Sequence, residues 1–301
     1  MRRMPLFVSI ILCLALLFSL GTTSVFAAEE SQENTWVTNW GMTLNDEIVV
    51  KFQMNFTPEI LADAGAYVEV TVGSNSYNVS VADIDGELCV PVQAAQMTDT
   101  ISLYVVDGSG ARSEAGSATV RQYCQSLLDS AAYASYHQLV KEVLNYGSAA
   151  QLYFAHNTDN LAGAGIEGAG QQDVPAAETT FALSDASDAL NCYGASLVYR
   201  DKIALRFYFE GSMEGCSFAA TSGSPVVNVE GGYVEIADIV PQDFDKAVTL
   251  TVTDAQNGTV SVTYCPMDYI VRMSQNGTNA TKVLVKALYN YHLAAKDFVP
   301  V

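Results

Sequence analysis

The feature that most constrains the fold of this chain is an internal duplication. Residues 41–54 resemble residues 194–209, because both begin with Gly-x-[Thr/Ser]-Leu and continue as an alternating apolar segment. Two further blocks recur in the same order, 101–107 as 248–254 and 139–150 as 284–295. Three matched blocks in one order predict that each half of the chain is a copy of one folding unit.

The first part of each copy has the alternation of half-buried strands. Ile48, Val50 and Phe52 alternate with Lys51 and Gln53, and residues 203–209 alternate in the same way. A period of two with β-branched and aromatic residues predicts strands. Further strands are predicted at 67–72, 77–81, 88–92, 101–106, 226–229, 233–236, 248–252 and 260–263. Several short strands at close spacing predict a small β-sandwich, immunoglobulin-like in outline.

The last part of each copy has helical spacing. Apolar residues recur three or four positions apart at Leu139, Val143, Tyr146 and Ala150, and the second copy repeats the pattern over 284–295. Such stripes give each helix one apolar face, so we expect a helical hairpin that closes each sandwich.

The predicted fold class is therefore α+β and mainly β, with two tandem sandwich modules that each end in a helical hairpin. The predicted divisions are a signal peptide at 1–27, a short leader at 28–35, a first module at 36–158, an Ala/Gly/Pro-rich linker at 159–180 and a second module at 181–301.

The N-terminus has the layout of a secretory signal. Arg2 and Arg3 precede the apolar residues 6–20, and small residues follow up to Ala27. The apolar run is shorter than the ~20 residues that span a bilayer, which favours a signal peptide cleaved after Ala27 over a membrane anchor. We expect a secreted or extracellular protein, with association with the cell wall left open and no membrane insertion after cleavage.

The net charge of the chain limits its partners. Residues 1–27 contain two arginines and no acidic residue, so a formal net charge of −19 becomes −21 after cleavage. This surface repels phosphate backbones, which argues against nucleic acid as a partner.

Of the five remaining cysteines, Cys192 and Cys216 are the one pair worth testing as a disulfide; no pairing is fixed by the sequence.

Two segments in the first half resemble recurrent segments of a known group. Residues 144–154, LNYGSAAQLYF, followed by NTDNLA at 157–162, resemble a segment of uncharacterised secreted proteins of gut Firmicutes, and residues 94–101 resemble another. The second copy departs from this pattern, with His292 for the glycine and Lys296 for the glutamine. The resemblance implies an exported, often multi-module protein. It implies no established activity, so no functional residue is carried over.

Candidate chemical motifs do not assemble into a site. Residues 163–168 have dinucleotide-binding spacing but follow a helix pattern rather than a strand, which favours a flexible linker. Residues 83–87 are acidic but lie between apolar segments, which favours a hairpin turn over a calcium loop. His137, His156 and His292 show no zinc spacing. We therefore predict no catalytic, cofactor-binding or metal-binding residue and no cofactor.

Aromatic and acidic residues leave two alternatives open. Sixteen tyrosines with Trp36 and Trp40 are enough for a sugar-stacking platform or a protein hot spot. Trp40 aligns with Tyr193, however, and a position that is bulky in both copies is interpreted as core. Carboxylates are plentiful, and a glycosidase needs only two of them across a cleft.

The functional expectation is a non-catalytic exported protein for adhesion to or recognition of a glycan or protein, or a structural spacer. The alternative is a secreted carboxylate-dependent hydrolase similar to a glycosidase. The sequence leaves the ligand and the oligomeric state open.

Overall fold

The chain folds into strands and helices that follow the duplicated sequence. The computed structural model describes residues 15–16, 36–44, 47–176, 190–199, 202–237, 239–254 and 258–298. Within these ranges, fifteen strands form four antiparallel sheets, accompanied by five α-helices. The prediction of an α+β protein that is mainly β is confirmed.

The strands of the first half form two sheets. They are β1 (Ala15–Leu16), β2 (Val37–Leu44), β3 (Ile48–Met54), β4 (Tyr67–Val72), β5 (Asn75–Ser80), β6 (Glu87–Val92), β7 (Ile101–Val106) and β8 (Arg112–Ala118). One sheet has the order β1-β2-β3-β6 and the other β5-β4-β7-β8. The two-residue β1 belongs to the expected signal peptide and pairs with Thr43 and Met42 of β2. The rest of 1–27 and the leader at 28–35 lie outside the described residues.

The strands of the second half have nearly the same order. They are β9 (Leu190–Tyr199), β10 (Ile203–Gly211), β11 (Cys216–Ala220), β12 (Pro225–Asn228), β13 (Tyr233–Ile236), β14 (Val248–Asp254) and β15 (Gly258–Tyr264). They form sheets of order β12-β13-β10-β9 and β11-β14-β15. Apart from β1, which has no counterpart among the described strands of the second half, the halves differ in one edge strand: β5 pairs with β4, but its counterpart β12 pairs with β13. Pro225 begins β12, which suits an edge strand because proline donates no ladder hydrogen bond.

The alternating residues bury one face of each strand as predicted. Val50 and Phe52 of β3 are buried, whereas Lys51 and Gln53, which alternate with them, are half-buried on the outer face. The predicted bounds of β4, β7 and β13 match the structure. Sequence reasoning missed β8 and β11, because their Ser-, Ala- and Gly-rich sequences carry little apolar alternation.

The acidic segment at 83–87 is not a hairpin turn. It connects β5 to β6, and these strands lie in different sheets. A short 3-10 helix at Val81–Asp83 precedes it, and Gly86 takes a left-handed φ of +73° before β6 begins. The hairpin prediction was wrong because the alternation on each side identifies two strands but not the sheet to which each belongs.

The helices follow the sheets in each half. They are α1 (Pro58–Leu61), α2 (Val120–Leu128), α3 (His137–Phe154), α4 (Pro266–Asn276) and α5 (Asn279–Lys296). Thr119 caps α2 by accepting a hydrogen bond from Gln122 N at 3.0 Å, and Gln122 Oε1 accepts one from Thr119 N. None of the helices in the described part of the chain is both long and apolar enough to cross a membrane.

Helices α3 and α5 pack against each other in antiparallel directions. The Tyr146 and Tyr291 rings stack with centroids 5.9 Å apart near the middle of the two helices. Tyr136, just before α3, meets Phe298, just after α5, with centroids 5.0 Å apart. Tyr146 and Tyr291 are equivalent positions of the duplicated sequence. The two halves therefore meet through matching positions of their last helices.

The described part of the predicted linker is held in place rather than flexible. We call residues 161–173 the strap. Gly163 N donates to Ser148 Oγ at 2.6 Å, and Gly170 N donates to the Glu142 carboxylate on α3 at 3.0 Å. Asn290 on α5 donates from Nδ2 to Gln172 O at 2.8 Å, and its Oδ1 accepts a hydrogen bond from Gln172 N at 2.9 Å. The flexible-linker interpretation is thus corrected for residues 161–173, because backbone amides of this segment bind both helices. Residues 177–189 lie outside the described residues.

The contact between α3 and the segment that joins β6 to β7 depends on a glycine. A Cβ at Gly147 would lie 2.4 Å from Met97 Sδ and 3.1 Å from Ala162 Cβ. At the corresponding place in the second half, His292 stacks on Phe244 with centroids 6.0 Å apart, and its Nδ1 lies 2.7 Å from Pro241 O. The same helix contact is therefore made by a different pair of side chains in each half.

We expect Gly147→Ala to destabilise the protein by about 1–3 kcal/mol, because the added methyl overpacks the fully buried Met97. Helix propensity alone would favour alanine by roughly 0.5–1 kcal/mol. Urea unfolding measures the difference. In a Met97→Ala background the same substitution should be neutral or stabilising. A Gly147→Ala variant as stable as the parent protein would contradict the tight contact.

Glu142 should make stability depend on pH. Burial raises the pKa of its carboxyl, against hydrogen bonds from Gly170, Asn145 and Gln138 that lower it. A folded-state pKa above the unfolded value means that ionisation costs the folded state free energy. As pH rises from about 4, near the ordinary glutamate pKa, through this raised pKa, the parent protein should lose stability relative to Glu142→Gln. Urea unfolding of both proteins across this range tests it; a pH-independent difference would be the contrary result.

Candidate functional site

The pairing of the first two strands in each half corrects the alignment of the two copies. Leu44 pairs with Ile48 and Tyr199 pairs with Ile203, so these pairs close equivalent hairpins. Leu197, which the sequence match equates with Leu44, pairs instead with Leu205. The Gly-x-[Thr/Ser]-Leu match is therefore two residues out of structural register. A shift of two keeps every side chain on its own face of the sheet, so the alternating pattern does not reveal it.

Both hairpins carry a β-bulge at the same place. In the first half the unpaired residue is Thr38, between Val37 and Asn39, and in the second half it is Tyr193, between Cys192 and Gly194. A bulge adds one residue to one strand and re-aims its side chain. Structurally, Tyr193 corresponds to Thr38 and not to Trp40.

The predicted core role of Tyr193 is therefore wrong. Trp40 packs against Phe52 and Tyr123, with centroids 6.3 and 5.2 Å away, as expected of a residue packed on the core. Tyr193 instead has 61 % of its surface exposed and leans on the ring of Tyr208. The two aromatic residues share a sequence context but not an environment.

Three tyrosines line up across the outer face of the β12-β13-β10-β9 sheet. Tyr193 on β9 lies 6.1 Å from Tyr208 on β10, and Tyr208 lies 6.2 Å from Tyr233 on β13, measured between ring centroids. Tyr208 and Tyr233 are directly paired across the two strands. We call these three residues the tyrosine face.

Polar side chains border the tyrosine face and orient its rings. Ser196 Oγ lies 3.0 Å from the Tyr208 hydroxyl, and Asn228 Nδ2 donates to the Tyr233 hydroxyl at 2.9 Å. Arg206 places its guanidinium 3.8 Å from the Tyr233 ring centroid and donates from Nε to Glu235 at 3.1 Å. Tyr208 and Tyr233 are thus oriented by hydroxyl, amide and charged groups, whereas Tyr193 contacts the ring of Tyr208.

The same positions in the first half carry no aromatic residue. Thr38, Gln53 and Glu87 stand where the second half has its three tyrosines. Lys51 Nζ and Gln53 Nε2 both donate to Glu87, at 2.7 and 2.8 Å. The hydrogen bond from Lys51 contributes most to lowering the pKa of Glu87 below its ordinary value. The first half therefore closes this face with a polar network, which makes it a built-in comparison for the tyrosine face.

A second feature is a cleft of about 570 Å³ between α3 and α5, beside the strap. Its walls carry side-chain amides from Gln138 and Asn290, the carboxylates of Glu142 and Asp297, and the ring of Phe298. Glu142 is almost fully buried, and both of its oxygens accept hydrogen bonds from Gly170 N. The carboxylate therefore holds the strap as well as lining the cleft.

The three histidines lie apart and have local partners. His137 Nε2 lies 3.0 Å from Leu127 O, and His156 Nε2 lies 2.9 Å from Asp99 Oδ2. His292 is buried in the contact with Phe244. In the ranges that the structure covers, no group of three or more histidine, cysteine and acidic side chains is placed to hold a metal ion.

The cysteines of the described ranges are all unpaired, including Cys192 and Cys216. Cys124 and Cys192 are buried, and burial raises the pKa of the Cys124 thiol to about 12 and that of Cys192 to about 11. These thiols stay protonated at neutral pH and behave as small packing residues.

Comparisons of the chain with protein-family models, with curated proteins and with solved structures found no match. The candidate site therefore depends on its own geometry. Sequence reasoning missed this site because its three tyrosines come together only through the register of three strands. The alternation did indicate that Arg206 and Tyr208 lie on the outer face of their strand.

We expect the tyrosine face to contribute little to folding. Tyr208→Gln installs the residue that the first half carries, and it should change the free energy of unfolding by less than about 1 kcal/mol, the range of one cross-strand pair. The neighbouring Phe207→Ala, on the buried face, should cost about 3–5 kcal/mol. Urea unfolding compares the two. A loss for Tyr208→Gln as large as that for Phe207→Ala would assign the tyrosines to structure.

Proposed function

We propose that this is an exported, non-catalytic protein that recognises a glycan through its tyrosine face. The observation that carries the proposal is a row of three aromatic rings on an outer sheet face, where one ring is 61 % exposed and the equivalent face of the other half has none. Folding does not require an aromatic row at this face, since the first half does without it. Tyrosine is enriched among the residues that contribute most to binding.

The chemistry of the face suits a sugar. Aromatic rings offer apolar surfaces to the C–H faces of a pyranose. Ser196 and Asn228 hydrogen-bond the hydroxyls of Tyr208 and Tyr233, and the donors and lone pairs that these bonds leave unused lie beside the rings, where sugar hydroxyls would meet them. Ordered hydrogen-bonding groups around an apolar surface give orientation and specificity.

We further propose that the two halves, 36–158 and 181–301, are tandem immunoglobulin-like modules, each closed by a helical hairpin. If the strands of the second half are lettered A to G, its sheets have the orders A-B-E-D and C-F-G, those of a constant-type immunoglobulin domain. The first half differs by placing strand D beside C. Strand order supports the fold class only, and the function depends on the face itself.

The proposed location is outside the cell, by free secretion or in association with the wall. The basic and apolar N-terminus and the net charge of −19 support this, because strongly acidic surfaces remain soluble. An exported protein of this kind has two other candidate roles, binding of a protein partner and service as a spacer. The following test separates both of them from glycan recognition.

We expect the chain without residues 1–27 to bind members of a glycan array. Tyr208→Gln and Tyr193→Thr should each reduce affinity at least about tenfold, which corresponds to roughly 1.4 kcal/mol. Thr38→Ala, at the equivalent bulge of the first half, is the matched control and should bind normally. Binding that survives both tyrosine substitutions would place the site elsewhere. Retention of a surface protein instead of a glycan would support the protein-partner role, and no partner at all would leave the spacer role.

The cleft between α3 and α5 favours one second candidate, a carboxylate-dependent hydrolase. It contains two carboxylates, Glu142 and Asp297, and burial raises the pKa of Glu142 as a general acid requires. This candidate predicts turnover of a polysaccharide or peptide that Glu142→Gln and Asp297→Asn each abolish. An activity screen without turnover would remove it.

A further inference from the structure

We infer that the tyrosine face takes a single, uncharged oligosaccharide chain and not the flat surface of an insoluble polysaccharide. This inference depends on the proposed function and specifies its ligand. Three properties of the face support it: the tilt between the rings, the length of the row, and the neutralised charge beside it.

The rings are not coplanar. The planes of Tyr193 and Tyr208 meet at 37°, and those of Tyr208 and Tyr233 at 63°. Both angles exceed the roughly 20–25° by which adjacent strands of a twisted sheet are rotated, so the side-chain torsions of the tyrosines add to the tilt. A crystalline surface is planar and contacts three rings together only if their faces lie in one plane. A single chain turns from one sugar to the next and is able to follow tilted rings.

The row is longer than one sugar. Its neighbouring centroids are 6.1 and 6.2 Å apart. Arg206 covers one face of Tyr233, so a ligand that packs on Tyr193 and Tyr208 meets Tyr233 at its remaining exposed edge, and such a ligand is longer than one sugar. Because Tyr193, Tyr208 and Tyr233 lie on three adjacent strands, the ligand runs across the strands rather than along them. Contacts that are spread over three strands favour an oligosaccharide over a monosaccharide.

The charges next to the row are neutralised. The guanidinium of Arg206 is engaged by the carboxylate of Glu235 and by the ring of Tyr233. A uronate or sulfate group would need this cation, and taking it would leave Glu235 without its partner. The net charge of −19 further repels a polyanion at long range. Hydroxyl groups meet no such penalty from Asn228 and Ser196.

The test is affinity electrophoresis of the full chain in gels that contain soluble xylan, mannan or mixed-linkage glucan. Gels with polygalacturonate or dextran sulfate present charged chains, and pull-downs with crystalline cellulose and chitin present planar surfaces. We expect retardation by at least one neutral soluble polysaccharide, at least a tenfold loss of affinity in Tyr208→Gln, and no retention on the insoluble materials. Thr38→Ala should behave as the parent protein, and circular dichroism verifies that each variant is folded.

The outcomes separate the two proposals. Retention on cellulose or chitin, or preference for a charged polymer, would overturn the inference of a single neutral chain. If Tyr208→Gln abolishes that binding, glycan recognition by the tyrosine face would still stand. Binding of neutral soluble polysaccharide that ignores Tyr208→Gln and Tyr193→Thr would overturn both. Absence of binding to every carbohydrate, with both variants and the parent folded, would also overturn both.

Discussion

The stacking of Tyr146 on Tyr291 is the interaction on which the arrangement of the chain depends. These rings occupy matching positions in the sequences of the two halves. Matching helices therefore form both sides of the interface, and their antiparallel packing leaves one groove between α3 and α5. The strap lies in that groove and binds Glu142 on one helix and Asn290 on the other. A single connecting segment thus fastens both helices.

Much of the fold could be predicted from the sequence because it is determined by local periodicity. The alternation around Phe52 and Phe207 identified the strands, and the three-four spacing through Tyr146 and Tyr291 identified the helices. Sheet membership could not be predicted, since β5 and β12 have corresponding places in the chain but pair with different partners. The strap was also missed. Its Ala- and Gly-rich sequence is typical of flexible chain, and its order comes from side chains on α3 and α5 that bind its backbone.

The candidate site was missed for a more specific physical reason. A shift of two residues in register leaves the inward and outward pattern intact, so the match between Gly41 and Gly194 was internally consistent although structurally displaced. The displacement equated Tyr193 with Trp40 and assigned it to the core. Only the pairing with β10 places Tyr193 at a bulge, where it is the structural equivalent of Thr38 in the first half. Sequence similarity within a repeat therefore identifies the unit but not the residue-by-residue equivalence that a functional argument needs.

The predicted duplication explains how an aromatic row arises at this face without loss of the fold. The inward residues of β3 and β10, such as Phe52 and Phe207, are buried in both copies and remain constrained by packing. The outward residues carry no such constraint, and the copies have diverged there, toward the Lys51–Glu87 network in one and toward three tyrosines in the other. A polar network satisfies its own hydrogen-bonding groups, whereas the exposed ring of Tyr193 leaves apolar surface in contact with water. That exposure costs free energy which a bound ligand would recover, and this is the physical basis for proposing recognition by the second half.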